Sequence, residues 1–283
     1  MFFFSRKIAR YSKDMDTRFW GPSGWRLLHL ISFQSKNIHR FFELLPWVLP
    51  CKFCRASLHD YYAMDPIPTK DYAEWFYRIH NRVNGKLRDQ KLLENKDPSW
   101  PEVQKTYTDM IAKPCTKQRM VGWDFLFSIA YTTPGPTVGS SPMPNAPPLS
   151  SLRSPELRNR WGLSPRKERL RYIHEWWSLL PNALPFEEWK HIWLHSVPPV
   201  PSLEYGRRKI TAWLYKAEQA MCRELKESKA HESFTGLCSE LSAFSSGCGK
   251  TRDLKTKTCR AVKGKRTLKK RRSTKYRLTG GFL

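Results

Sequence analysis

Through the first hundred residues of this chain, apolar residues recur at helical spacing and nowhere alternate as they would along a half-buried strand. Trp75, Ile79, Val83 and Leu87 form an i, i+4 stripe in "DYAEWFYRIHNRVNGKL", the period of a helix with one buried face. Trp25, Leu28, His29 and Ser32 repeat that spacing upstream. They follow Gly21-Pro22-Ser23-Gly24, which reads as a loop with Ser23 as the helix cap. "HRFFELLPWVLP" reads as a second helix interrupted by Pro46 and Pro50, and another opens at Cys51 and runs to about Tyr62. Four helices with short connections predict an all-α fold built on a four-helix bundle.

The second half repeats the first in outline. "FFELLPWVLPCKFC" aligns with "WWSLLPNALPFEEW", sharing two aromatics and then L-L-P-x-x-L-P. Upstream, Trp25, Leu28 and Ile31 align with Trp123, Leu126 and Ile129. Downstream, Trp75, Tyr77 and Leu87 align with Trp213, Tyr215 and Leu225. Three blocks in one order point to an internal repeat rather than to convergent helix patterning. In the second copy Cys51 and Cys54 become Phe186 and Trp189, while His80, Asn81 and Asn84 become Glu218, Gln219 and Cys222. Six prolines between Thr132 and Pro148 mark a long loop. The expected domains are 14–112, a helical second domain at 113–235 that is a degenerate copy of the first, and a basic, disordered tail at 236–283.

The net charge of +25 is concentrated in that tail, where Lys250 to Arg277 carry fourteen Lys/Arg against one acid, Asp253. Such a block repels itself and attracts polyanions, so it reads either as a contact for nucleic acid, acidic protein or anionic membrane or as a solubilising or nuclear-targeting tail. "MFFFSRKIAR" is too short in apolar residues for a secretory signal. No run approaches the roughly 20 apolar residues of a bilayer span. The chain is therefore expected to be soluble, cytoplasmic and not secreted, with no transmembrane segment. Seven cysteines in such a chain do not read as a disulfide framework.

Cys51 and Cys54 are the exception that calls for chemistry. At i and i+3 they share a helix face, and at a helix start the N-terminal partial charge favours a thiolate. They could be a redox pair, half of a zinc site or two inert core thiols. The polar neighbours Lys52 and Arg55 weigh against inert thiols. A zinc site would need two further ligands, and Cys115 is isolated while His59 falls on the wrong part of the helix; no metal ligand set is assigned. His80 and Asn84 also share a face. With Trp25, His29 and Trp75 they form an aromatic and polar set able to stack on a planar heterocycle and bond its edges. With neither a GxGxxG nor a P-loop in the sequence, a nucleotide would be held between helices.

The blocks "WGPSGWRLLH", "PCKFC" and "HNRVNGKL" resemble the signatures of the Erv/ALR flavin-linked sulfhydryl oxidases, in family order, over roughly Thr17 to Trp100. "DPSWPEV" after the last block is most similar to members encoded by large cytoplasmic DNA viruses, which would place the protein in the host cytoplasm and in the virion. The resemblance implies FAD within the helical bundle and a homodimer. It implies that Gly21, Gly24, Trp25 and His29 lie against the cofactor. Trp75, His80, Asn81, Val83, Asn84, Lys86 and Leu87 would surround its adenine and ribose-phosphate portion. Cys54 would lie next to the isoalloxazine, and Cys51, the more exposed thiol, would exchange with thiol-containing protein substrates. Electrons would pass through FAD to molecular oxygen, giving hydrogen peroxide. Many family members carry a second cysteine pair as a shuttle. Here there is no second C-x-x-C, and Cys238, Cys248 and Cys259 could serve, be incidental, or bind metal with His231. The rival reading is a basic nucleic-acid-binding protein with a structural C-x-x-C zinc module.

Overall fold

A computed structural model describes residues 14–135, 142–228 and 231–246. Among the described residues the fold is all-α, 69% helical. The first half holds α1 (Thr17–Gln34), α2 (His39–Glu43), α3 (Leu45–Val48), α4 (Lys52–Met64), α5 (Tyr72–Asp89), α6 (Trp100–Ala112) and the single turn α7 (Pro114–Lys117). The second half holds α8 (Trp123–Thr132), α9 (Pro155–Arg160), α10 (Arg166–Ala183), α11 (Glu187–Ser196), α12 (Arg207–Glu224) and α13 (Phe234–Phe244). Two short strands, β1 (Asp14–Met15) and β2 (Ser245–Ser246), pair antiparallel, Asp14 opposite Ser246 and Met15 opposite Ser245.

Local chemistry sets the helix ends, not always where the sequence suggests. α1 starts at Thr17, six residues before Ser23, because the Asp16 carboxylate accepts from Arg18 N–H at 2.9 Å and so caps the first turn. The helix then runs straight through Gly21-Pro22-Ser23-Gly24, so the loop expected there is absent. Pro22 in the second turn forfeits one intrahelical bond. A Cβ at Gly24 would lie 3.0 Å from the Phe125 ring, so the missing side chain lets α8 pack close against α1. α6 is additional to the four helices that the sequence predicts. Its signal was a capping box, with Glu102 Oε2 accepting from Ser99 N–H at 2.6 Å.

The two halves share one core. α1 packs on α8, and α10 packs on α2 and α3. Each half thus covers helices of the other. Trp75, Trp176, Trp177 and Trp189 are fully buried there, with Phe41, Phe42, Phe125 and Phe127. Each such ring contributes about 1.5–3 kcal/mol on leaving water. Helical structure also continues past the expected boundary at 235, since α13 runs to Phe244 and packs on α8. The basic stretch from 250 onward lies outside the described residues.

Candidate active site

Cys51 is the N-cap of α4, in extended backbone at φ −131° and ψ 124°, and Cys54 lies in the first turn. Two prolines shape the approach, and the turn they leave is pinned almost carbonyl by carbonyl. Pro46 O accepts from Asn159 Nδ2 at 2.7 Å, Trp47 O from Arg169 Nε at 3.2 Å, and Leu49 O from an Arg55 guanidinium nitrogen at 2.8 Å. Pro50 O accepts from Met15 N–H at 3.0 Å. The Lys52 N–H, first of α4, donates to Asp14 Oδ1 at 3.1 Å. Four segments, β1, α4, α9 and α10, therefore fix where Cys51 sits, and buried carbonyls satisfied in this way resist displacement.

The exposure order of the two thiols is the reverse of the expected one. Cys51 is 1% exposed and Cys54 is half-buried. The reason is β1, which meets the chain at Pro50 and again at Lys52, on either side of Cys51. The helix start is also less favourable to a thiolate than its dipole alone implies, since the Asp14 carboxylate occupies the first N–H. The Cys54 thiol is held well above the ordinary thiol range. Its hydrogen bond with Cys51 is the main cause, followed by burial and the charge Cys51 would carry, while Lys86 opposes the shift and Asp14 adds to it.

The third block reaches the dithiol helix through Lys86, whose Nζ donates to Ser57 Oγ at 2.6 Å, one turn beyond Cys54. On the same helix, α5, His80 stacks on Trp25 of α1, centroids 3.7 Å apart and planes at 10°. His80 Nδ1 and His29 Nε2 are hydrogen-bonded at 3.0 Å, one ring donating and the other accepting. Burial pushes His80 down to about 3. It also pushes His29 well down, helped by the charge His80 would carry. Both rings are neutral at pH 7. His29 is flanked by Phe76 and Tyr107, two residues that the sequence reading missed. Asn84 Nδ2 donates to Asp97 Oδ1 at 2.7 Å, and Asp97 also pairs with Arg88. Val83 and Leu87 are half-buried on the same helix. Trp75 lies deeper, packed on Phe42, Tyr62 and Phe76, with its indole N–H donating to Asp65 O at 3.0 Å. Gly24 faces α8, and a Cβ at Gly21 would meet nothing within 4 Å.

Residues 22–107 match the Erv1 / Alr family model. The match spans under a third of the chain and includes every sequence-assigned site residue except Gly21. Members of the Erv1/Alr family are in general FAD-linked sulfhydryl oxidases. Comparison with curated proteins and with solved structures gave no match. The matched stretch carries groups suited to a flavin nucleotide. Asn81 Oδ1 is buried without a hydrogen-bond partner, Gly21 leaves open space, Lys86 supplies a cation and Trp25 with His80 supplies a flat stack. A buried amide oxygen without a partner is costly in a native fold, and a bound ligand's N–H or hydroxyl would satisfy it.

Neither rejected zinc-ligand candidate joins the dithiol: His59 Nε2 meets Asn159 Nδ2 at 3.2 Å, and Cys115, outside the matched stretch, is exposed. Among the described residues, no group of three or more His, Cys, Asp or Glu is placed to hold a metal ion. Cys238 lies on α13, and burial raises its thiol against the opposing charge of Arg208 and Arg207. Cys248 and Cys259 lie outside the described residues. No helix among the described residues is long and apolar enough to cross a membrane.

Proposed function

We propose that this protein is an FAD-dependent thiol oxidase that forms disulfides in protein substrates through Cys51 and Cys54. The supporting observation is the Lys86–Ser57 contact, which joins the helix of the third block to the helix headed by the two cysteines. A substrate thiolate attacks Cys51 Sγ in the Cys51–Cys54 disulfide. A new S–S bond forms, and Cys54 Sγ leaves as a thiolate. A second substrate thiol attacks the mixed disulfide and releases Cys51. The substrate has then lost two electrons and two protons, and the protein's own pair is reduced. FAD bound between α1, α4 and α5 would supply the electron sink, taking the pair from the dithiol and passing it to oxygen as hydrogen peroxide.

The chain's own residues prepare that transfer. The Lys86 charge offsets part of what disfavours a Cys54 thiolate. The neutral His29–His80 pair can bond a ligand edge without bringing a charge into an apolar wall. Trp25, Gly21, Asn81, Asn84, Val83 and Leu87 offer the stack, the space, the bonding edges and the apolar sides. Oxygen uptake by the purified chain with a dithiol substrate tests the reading. One disulfide and one peroxide per oxygen is the expected result, and dithiol oxidation without oxygen consumption would overturn it.

The remaining partner and location readings belong to the same proposal. The tail at 250–277 is a polyanion contact, which should give salt-sensitive retention on an anionic matrix, lost when its lysines and arginines are neutralised. The protein works in the cytoplasm, and "DPSWPEV" is the feature that suggests a viral origin. A homodimer would use surfaces other than the faces of α1, α2 and α3 that α8 and α10 already cover.

A further inference from the structure

Cys51 is the sulfur that the proposed chemistry requires an incoming thiol to attack, yet it is 1% exposed. Its cover is specific. Met15 N–H donates to Pro50 O, and the Asp14 carboxylate accepts from Lys52 N–H, so β1 engages the residue before Cys51 and the residue after it. β1 is only two residues long; its Met15 side chain is buried in the core and the strand packs on α8, while its main-chain anchors from behind are few. Asp16 N–H donates to Phe244 O at 2.9 Å, the Trp20 indole N–H donates to Met15 O at 3.4 Å, and Phe19 stacks on Phe244 at 4.5 Å. A strand this short, with one neighbour, is the kind of element that opens locally without global unfolding.

We propose that β1 is a strap lying where substrate lies. It lifts to expose Cys51, and an extended cysteine-bearing segment of the substrate takes its place, pairing with Pro50 O and Lys52 N–H. The occupant follows from the groups that β1 would vacate. A backbone acceptor and a backbone donor two residues apart are the complement of an extended polypeptide, and a thiol on that segment would be delivered to Cys51 Sγ between them. Docking by main-chain bonds also suits an oxidase that must accept differing sequences around a cysteine. This inference deepens the thiol-oxidase reading and rests on it.

The test needs neither flavin nor turnover. In the reduced full-length chain, Phe244→Ala removes the ring that holds β2 against Phe19 and changes no charge. The rate of Cys51 alkylation by iodoacetamide, mapped by peptide mass, should rise about fivefold to tenfold, in step with faster hydrogen exchange at the Met15 amide. Asp14→Asn keeps the capping geometry and reports the charge effect separately. A full-length Cys54→Ser chain treated with the disulfide of an unstructured cysteine peptide should form an adduct on Cys51. In that adduct the Met15 amide should lose its protection while the Lys52 amide keeps it. An adduct with Met15 as protected as before, or a Phe244→Ala chain whose Met15 exchanges faster with no change at Cys51, overturns the strap and leaves the oxidase reading intact. Absence of any adduct on Cys51 overturns the role given to that thiol in the oxidase itself.

Discussion

The two halves use the same helices and the same polar tethers, and differ where the chemistry would be. Cys51 caps α4 at φ −131° and ψ 124°, and Phe186 caps α11 at φ −120° and ψ 139°. Trp75 N–H bonds Asp65 O after α4, and Trp213 N–H bonds Pro198 O after α11. Tyr77 OH reaches Pro98 O, and Tyr215 OH reaches Glu232 O. α6 and α13 both begin after a serine cap. Those shared residues are what the helical frame needs. In place of the dithiol the second half has Phe186 and Trp189, rings 4.8 Å apart that fill the space as core. Where the first half has His29 and His80 the second has Phe127 and Glu218, and Glu218 is bonded to His231 at 2.8 Å. The second half also has a task of its own, because Asn159 and Arg169 hold the turn that leads to Cys51.

Substitutions can break or sharpen this comparison. The largest effect belongs to the dithiol. Cys51→Ser or Cys54→Ser should reduce thiol-dependent oxygen uptake to background with the melting temperature nearly unchanged. Phe186→Ala should do the opposite, costing about 3–5 kcal/mol in urea unfolding with turnover intact per folded molecule. Turnover retained in either serine variant would end the argument for distinct halves. Next come the links between halves. Asn159→Ala and Arg169→Met each leave a buried carbonyl without its donor and should cost about 1–3 kcal/mol, with slower oxygen uptake at saturating dithiol. Full activity in both would mean the halves are chemically independent.

Smaller effects follow from electrostatics. Asp124 is pushed up to about 6 by burial, with the charges of Glu240 and Glu218 adding to the shift and His231 opposing it. An acid raised on folding binds its proton more tightly in the native state. It therefore destabilises increasingly as pH rises from its unfolded value near 3.8 through about 6. Asp124→Asn should stabilise the protein by roughly 1–2 kcal/mol at pH 7 and by almost nothing at pH 4, read from urea melts at both. An equal effect at the two pH values would contradict the burial argument. The smallest effect is expected at the Arg160–Asp60 pair between α9 and α4, whose side chains are 29% and 39% exposed. Arg160→Ala should cost less than about 1 kcal/mol.

Much of this was legible locally. The i, i+4 stripe gave α5, and the two prolines and C-x-x-C gave the start of α4. What was hidden depends on distant residues. Asp14 reaches the helix start from 38 residues away, and Asn159 and Arg169 from more than 100, with no periodic pattern to announce them. Lys52 and Arg55, as polar neighbours, weigh against a pair of buried inert thiols in the sequence. Both are 6% exposed: Lys52 Nζ donates to Pro142 O and Arg55 to Leu49 O. Charge in a sequence reports a need for partners, which here were found inside. Gly21-Pro22-Ser23-Gly24 misled in the other direction, since an upstream cap and close packing on α8 keep it helical.

The visible spectrum of the purified full-length chain, before and after anaerobic addition of a dithiol, tests the central claim most directly. The account predicts a yellow protein absorbing at about 450 nm, bleached by the dithiol in the native chain and not in Cys54→Ser. A chain that stays colourless after reconstitution with FAD, or whose colour ignores the dithiol, would contradict it.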